Sequence, residues 1–277
     1  MNEGKISCAS TDSDQSTWDS IDWLQCEIAV KKLQARIVKA QKEGKHGKVN
    51  SLQWVLTHSF YAKALAVKRV TSNKGRKTTG VDHQLWGTSQ SKYQAITSLK
   101  RSSYKPQPLK RVFIKKKNGK LRPLGIPTMK DRAMQALYLL ALEPIAETTA
   151  DPNSYGFRKE RCTNDVQQKC HIALSRENSA KWFVEGDIKG FFDNINHDIL
   201  ISILNERIAD DRFIRLIRKL LKAGYVEDWK FHKTYSRTPQ GGICEVSHIP
   251  PYVQRIFMRS VLSKVGIITQ IMPERCA

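Results

Sequence analysis

The residues that could carry chemistry centre on Asp187, which follows an apolar run in the stretch FVEGDIKGFFDNINHDIL, residues 183–200. Residues 182–184 have the composition of a buried strand, Gly186 permits a close backbone approach, and Asp187 falls where that strand ends. Asn196 predicts the N-terminal cap of the next helix. A carboxylate at the end of a central strand that faces a basic groove can hold the magnesium ions used in nucleotidyl transfer. The alternative is that Asp187 caps the following helix or pairs with a nearby lysine.

Positive charge is concentrated in one third of this chain of 277 residues. The formal net charge is +21, and residues 44–130 contain twenty Lys and Arg against a single acid, Asp82, so this span carries +19. A basic surface usually includes compensating acids, and their near absence over 87 residues predicts a polyanionic partner. We expect nucleic acid. An anionic membrane surface is the weaker alternative, because no amphipathic anchor rich in Trp and Leu accompanies the charge.

Cysteine and hydropathy patterns argue against other classes of protein. The six cysteines form no C-x-x-C pair, so neither a disulfide framework nor a zinc site is expected. Cys162, Cys170 and His171 lack a fourth ligand at metal-site spacing. The chain has no run of about 18 apolar residues and no signal-peptide pattern, which predicts an intracellular protein without a membrane span. We expect it in the cytoplasm, or in an organelle if a plastid or mitochondrion encodes it.

Helical periodicity organises the first part of the chain after a polar lead at residues 1–16. Apolar residues recur at helical spacing from Trp23 to about Glu43 and again from about Val49 to Val70, which predicts a basic helical hairpin. One face of the second helix is predicted to be buried; it is formed by Leu52, Leu56, Phe60, Ala64 and Val67. The segment TSNKGRKTTGVD, residues 71–82, is typical of a mobile basic loop.

A β-hairpin and a long helix are predicted next. The segment RVFIKKKNGKLRPLGIP, residues 111–127, has two short strands around Asn118-Gly119, a pair that favours a two-residue turn with positive φ at both positions. Thr128, with Asp131 three residues later, predicts the start of a helix that is interrupted near Pro144. Irregular alternation of strands and helices beyond this point indicates an α+β fold.

Four motifs occur in the order and approximate spacing seen in reverse transcriptases encoded by group II introns, namely RPLGIP, SYGFR, GDIKGFFDNINHDIL and TPQGG. The chain resembles that family from about Ser16 to Cys244. The resemblance implies an α+β right-hand polymerase fold in truncated form. Its N-terminal helical domain would occupy residues 17–98, and its fingers and part of its palm would occupy residues 99–244. Residues 1–16 would be a disordered lead, and residues 245–277 a divergent tail produced by a frameshift.

The resemblance also assigns a metal site. Asp187 matches the first catalytic aspartate of the palm, and the carbonyl of Ile188 would supply a second ligand from the same turn. The implied cofactor is Mg²⁺, for which Mn²⁺ could substitute. The implied partners are group II intron RNA, an RNA template with its primer, and deoxynucleoside triphosphates.

Four further residues match the family's nucleotide site. Lys116 and Arg122 match the hairpin pair that grips the incoming triphosphate, for which a point charge and a planar fork are suited. Phe192 matches the aromatic residue that excludes a 2′-hydroxyl, and Gln240 matches the glutamine that lines the nucleotide pocket. From the residues alone the alternatives stay open: a surface lysine or arginine, a core phenylalanine and a turn glutamine.

The resemblance ends after TPQGGIC, where the family continues with Ser-Pro-Leu-Leu and later an aspartate pair. YVED, residues 225–228, lies before TPQGG, and we interpret it as a turn rather than a substitute for that pair. Two-metal transfer needs carboxylates at both metal positions, so we expect this chain to be inactive alone. Three hypotheses remain: an N-terminal portion of such an enzyme, inactive or complemented by a downstream polypeptide; an RNA-binding splicing helper; or a decayed pseudogene product.

Overall fold

A computed structural model describes residues 17–115, 117, 119–156, 158–179, 195–208 and 210–234. Within these residues the chain forms eight α-helices and one four-stranded sheet, which confirms the predicted α+β class. The helices are α1 (Trp23–Lys42), α2 (His46–His58), α3 (Phe60–Ser72), α4 (Ser89–Ser98), α5 (Met129–Thr149), α6 (Thr163–Leu174), α7 (His197–Arg207) and α8 (Asp211–Leu221). No helix in this described part is both long and apolar enough to cross a bilayer.

The first predicted helix is confirmed as α1. Its N-terminal cap is Asp22, whose carboxylate accepts a hydrogen bond from the Gln25 amide at 2.9 Å. Its buried face consists of Cys26, Val30, Ile37 and Ala40. Cys26 belongs to the core, and its burial raises the pKa of the thiol.

The prediction of one continuous second helix is wrong, because this part of the chain forms two helices, α2 and α3. Ser59 has an extended conformation, with ψ of 136°, and separates α2 from α3. The Thr57 hydroxyl donates to the Gln53 carbonyl at 2.9 Å, a local contact of the kind that competes with a straight helix. The break removes Phe60 from the buried face that the sequence predicted, and this side chain is 40% exposed.

The central helix α5 runs through Pro144, so the predicted interruption is wrong. A proline lacks the N–H that would bond to the carbonyl four residues earlier, at Leu140. The side-chain amide of Gln34 in α1 donates to that carbonyl at 2.8 Å. The carbonyl of the next residue of α5, Ala141, accepts a hydrogen bond from the side-chain amide of Gln53 in α2 at 3.0 Å. Side chains from neighbouring helices therefore satisfy the backbone of α5, which packs against α1, α2 and α3.

The sheet contains two hairpins that lie side by side in the order β2-β1-β3-β4. Its strands are β1 (Leu109–Lys115), β2 (Leu121–Ile126), β3 (Tyr225–Glu227) and β4 (Lys230–His232). Strands β1 and β3 are parallel, whereas each hairpin is antiparallel. The sequence predicted the first hairpin, which is confirmed, and did not predict the second.

The turn of the first hairpin differs from the prediction. Lys115 pairs with Leu121, so residues 116–120 connect the strands, whereas a two-residue turn at 118–119 would pair residues 117 and 120. Gly119 does have a positive φ, of 78°. Asn118 lies outside the described residues. A five-residue connection of this kind also accommodates one glycine in the left-handed region.

Candidate nucleotide and nucleic-acid site

The structure describes one of the six predicted site residues, Arg122. The other five lie outside the described residues, so their proximity stays a prediction: Lys116, Asp187, Ile188, Phe192 and Gln240. The predicted cap of the helix after this stretch is confirmed. Asn196 accepts hydrogen bonds from the amides of Asp198 at 2.8 Å and Ile199 at 3.2 Å and so starts α7.

Arg122 lies near the end of the first hairpin, where it pairs with Ile114 across the strands. The described cations around it are all exposed: Lys115, Lys117 and Lys120. Large apolar side chains are also exposed there, with Phe113 and Ile114 each 50% exposed and Leu121 63% exposed. The end of this hairpin thus combines positive charge with apolar area. Phosphate groups and flat nucleobases are ligands that such a surface can bind.

Arg132 fixes the base of this hairpin and the basic segment at residues 71–82. Its guanidinium donates to the carbonyls of Pro127 at 3.0 Å, Gly75 at 3.0 Å and Thr78 at 2.7 Å. The side chain is buried, and burial lowers the pKa of its guanidinium. Because three carbonyls from two separate segments converge on it, Arg132 joins the end of β2 to the basic segment.

The basic segment is therefore ordered against α5 and is not the freely mobile loop that the sequence predicted. Residues Lys74–Lys77 form a short 3₁₀ helix. A Cβ atom at Gly80 would lie 2.7 Å from the Cα and 2.8 Å from the amide nitrogen of Thr128. Only glycine permits this approach, so the segment lies directly on the first turn of α5.

Asp131 is a buried carboxylate that ties a third segment to the same turn. It accepts hydrogen bonds from the Tyr104 hydroxyl, from the Thr128 hydroxyl at 2.7 Å and from the Gln107 amide at 3.2 Å. Burial raises the pKa of Asp131 despite these donors. Sequence analysis identified Asp131 only as part of a helix start. The signal that could have indicated this role is the run RPLGIPTMKDR, residues 122–132. In this run the end of β2 is followed directly by the first turn of α5, so polar side chains of that turn lie at the base of the hairpin.

The helical domain supplies further basic and aromatic surface. Trp54 is 46% exposed and stacks on His58, with ring centroids 4.3 Å apart. Burial, and in second place the charge of Lys100, lowers the pKa of the Lys63 ammonium group. Exposed cations between residues 45 and 105 are Lys45, Lys48, Arg69, Lys74, Arg76, Lys77, Lys100, Arg101 and Lys105.

Several other polar residues have structural roles. Arg158, in the SYGFR motif, forms an ion pair with Glu147 at 2.6 Å and donates to the carbonyls of Asp151 and Ser154. The Glu147 carboxylate raises the pKa of Arg158. These contacts hold the loop after α5 and bury the Arg158 side chain.

Acidic and metal-ligating residues do not form a metal cluster in the described ranges. Cys162, Cys170 and His171 are exposed. Asp210, which precedes a second aspartate, caps α8 and pairs with Arg212 at 2.6 Å. Of YVED, residues 225–228, the first three form β3 and the last lies in an exposed turn, so the interpretation of this segment as a turn holds only for Asp228.

Two protein families match the chain. Residues 18–99 match the "N-terminal domain of reverse transcriptase", and residues 114–266 match "Reverse transcriptase (RNA-dependent DNA polymerase)". The second match extends beyond Cys244, and the boundary of a divergent tail at residue 245 stays a prediction.

Curated relatives agree with these matches. "Group II intron-encoded protein LtrA" of Lactococcus lactis subsp. cremoris is 45% identical over 204 residues, which cover 71% of this chain and 32% of the relative. "Protein YkfC" of Escherichia coli (strain K12) is 37% identical over 191 residues, which cover 65% of this chain and 49% of the relative. The matched part of the chain thus spans about a third of one relative and about half of the other.

The fold is also found in solved structures. A chain of the "Cas6-RT-Cas1--Cas2 complex" superposes with a TM-score of 0.50 at 19% identity, over 76% of this chain and 22% of that chain. At this level of identity the likeness concerns the fold alone.

Proposed function

The chain belongs to the reverse transcriptase family, and we propose that it forms the N-terminal, nucleic-acid-binding portion of a group II intron-encoded enzyme that copies RNA into DNA. The 45% identity to a group II intron-encoded protein is the single observation that carries this proposal. The span of residues 44–130, with its charge of +19, supports it, because this span includes helices α2 to α4 of the helical domain and the first hairpin.

The chain's own residues would divide the work of DNA synthesis. Arg122, at the exposed end of the hairpin, and Lys116 would bind the triphosphate of an incoming deoxynucleotide. Phe192 would exclude ribonucleotides at the sugar, and Gln240 would line the base pocket. Arg132 would hold the hairpin base and the basic segment in a fixed relation, so that template contacts and nucleotide contacts are made together.

A divalent cation would bind at Asp187 and the Ile188 carbonyl. A carboxylate and a backbone carbonyl are oxygen ligands, which suit Mg²⁺ and also Mn²⁺. The cation would supply charge neutralisation at the reacting phosphate. The aspartate pair that the family uses together with Asp187 is not among the motifs found in the sequence, so we propose that a complementing downstream polypeptide supplies it for synthesis.

RNA binding tests the proposal directly. Phosphate contacts release counterions, so neutralising about six phosphates should weaken binding by roughly a thousandfold between about 50 and about 200 mM salt. Fluorescence anisotropy with a labelled group II intron RNA fragment measures this dependence. An affinity that stays constant over this range would contradict the proposal.

A second candidate function is that of an RNA-binding splicing helper without polymerase activity. The observation that favours it is that the excess positive charge lies in residues 44–130, upstream of Asp187. Splicing of intron RNA assisted equally by the chain and by its Asp187→Ala variant would support the helper. DNA synthesis that this substitution abolishes, in a chain extended by its relatives' downstream regions, would support the enzyme. For either function we place the protein in the cytoplasm or in an organelle that encodes it.

A further inference from the structure

The tip of the second hairpin carries an unusual residue. Glu227 pairs with Lys230, so Asp228 and Trp229 alone form the turn. Both have positive φ, of 47° and 64°, as a two-residue turn of the mirror-image class requires. Glycine is the favoured residue at the second position, and a bulky side chain is strained there. Trp229 nevertheless occupies it, and its side chain is 93% exposed.

Trp229 therefore adds nothing to the hairpin that glycine would not provide. Burial of an indole ring is favourable, whereas this ring lies in solvent. A large aromatic side chain held outward on a rigid turn is typical of a binding contact. The residues next to the turn indicate the charge of the partner, because Lys230 and Lys233 are exposed beside a single exposed acid, Asp228.

The sheet topology brings this tip close to the basic hairpin. Strands β1 and β3 are parallel, with Leu109 opposite Tyr225 and Lys110 opposite Val226. The turns of both hairpins therefore lie at the same end of the sheet. Glu227, the last residue of β3, is level with Arg111 in this register. Strand β1 continues four residues beyond Arg111, to Lys115, which therefore lies roughly 13 Å further along the sheet than Glu227, the residue before the aromatic tip.

A stack of side chains makes the connection between the hairpins rigid. The guanidinium of Arg111 lies over the Tyr225 ring at 4.2 Å, and the Tyr225 ring stacks on His232 with centroids 4.9 Å apart and planes 13° apart. A residue of β1 is thereby joined to both strands of the second hairpin. The aromatic tip and the basic end are therefore held in a fixed relation to each other.

We propose that Trp229 stacks on an unpaired base of a single-stranded RNA whose phosphates contact the basic end of the first hairpin. This inference rests on the proposed RNA binding and adds a base-stacking site to it. Stacking on an aromatic ring is tolerant of base identity, so the site would hold single strands without reading their sequence. The net charge of +21 and the flanking lysines favour RNA over an apolar protein surface as the partner.

The test compares Trp229→Gly with the unmodified chain. Glycine removes the ring and relieves the positive φ, and Asp-Gly is a strongly favoured sequence for this turn, so the hairpin should persist. Trp229→Phe keeps a smaller ring. Leu24→Ala is the matched control, because Leu24 is a large apolar side chain on α1 that is 68% exposed.

Binding is measured by anisotropy with a labelled oligouridylate as the single strand, and by competition with heparin as a polyanion without bases. We expect Trp229→Gly to bind oligouridylate roughly tenfold more weakly. The oligouridylate affinity of Trp229→Phe should lie between that of Trp229→Gly and that of the unmodified chain. The affinity of Leu24→Ala should equal that of the unmodified chain. Heparin affinity and the slope of affinity against salt should be unchanged, because stacking releases no counterions.

The outcomes separate the two proposals. If the unmodified chain binds oligouridylate and Trp229→Gly binds it equally well, the stacking site is overturned while RNA binding stands. Equal losses for oligouridylate and heparin would also overturn it, because they indicate a change in fold or charge. If the unmodified chain binds neither RNA nor heparin, the proposed function itself fails.

Discussion

Replacing Arg132 by methionine tests how the basic segment and the first hairpin are held against α5. Methionine retains an unbranched apolar stem of similar length and removes every donor of the guanidinium. The carbonyls of Pro127, Gly75 and Thr78 would then lose the hydrogen bonds that Arg132 provides. The substitution therefore breaks the junction without opening a large cavity.

The expected loss follows from the burial of each acceptor. A hydrogen bond with a charged donor contributes about 1.5–3 kcal/mol, so three would contribute roughly 5–9 kcal/mol at most. Pro127 is buried, whereas Gly75 is half-buried and Thr78 is exposed, so water can solvate the last two carbonyls after the change. Removing a buried cation also relieves its desolvation. We expect the free energy of unfolding to fall by about 2–4 kcal/mol.

Urea unfolding followed by circular dichroism measures this change, and limited trypsin digestion locates it. Cleavage after Lys74, Arg76 and Lys77 should accelerate more than cleavage elsewhere, because the 3₁₀ helix loses its anchor. The control is Arg69→Met, which removes an exposed cation of α3 and should change stability by less than about 0.5 kcal/mol.

The reasoning would be refuted if Arg132→Met unfolded at the same urea concentration as Arg69→Met and its basic segment were cleaved no faster. A cooperative transition in the unmodified chain would in addition count against the hypothesis that the chain is a decayed product that never folds.

Two further predictions concern charge and catalysis. Burial raises the pKa of Asp131 above its usual 3.8, so the folded state holds the carboxyl proton more tightly than the unfolded chain does. The stability that this protonation contributes is fully present below about pH 4 and is lost as the pH rises through the pKa of Asp131 in the folded state. The unfolding free energy of the unmodified chain should therefore fall towards neutral pH relative to Asp131→Asn in urea titrations over a pH series, and a constant difference would contradict this. The purified chain should show no primer extension on an RNA template, whereas a chain extended after Cys244 by the family's aspartate pair and thumb should synthesise DNA. In that extended chain Arg122→Ala should mainly weaken nucleotide affinity, Asp187→Ala should abolish turnover and Phe192→Ala should admit ribonucleotides; synthesis without Asp187 would rule out the proposed metal site.

The sequence determined those features whose causes are local. Thr128 and Asn196 were predicted as helix caps, and each accepts hydrogen bonds from amides two or three residues further on. The first hairpin was also predicted, because its two strands and their connection lie within one short segment. The charge of residues 44–130 is a property of composition, so no fold was needed to see it. Most of the candidate site was assigned by resemblance, and of its residues the structure places Arg122.

Tertiary structure alone decided the features whose partners are distant in the chain. Helix α5 continues through Pro144 because Gln34, 106 residues before Leu140, donates to the carbonyl that proline leaves without a partner. The basic segment is ordered because Arg132 reaches carbonyls 54 and 57 residues away. The spacing of Trp229 from the basic hairpin likewise depends on the parallel pairing of β1 with β3. Local propensities cannot encode these pairings, because each depends on packing that brings remote segments within hydrogen-bonding distance.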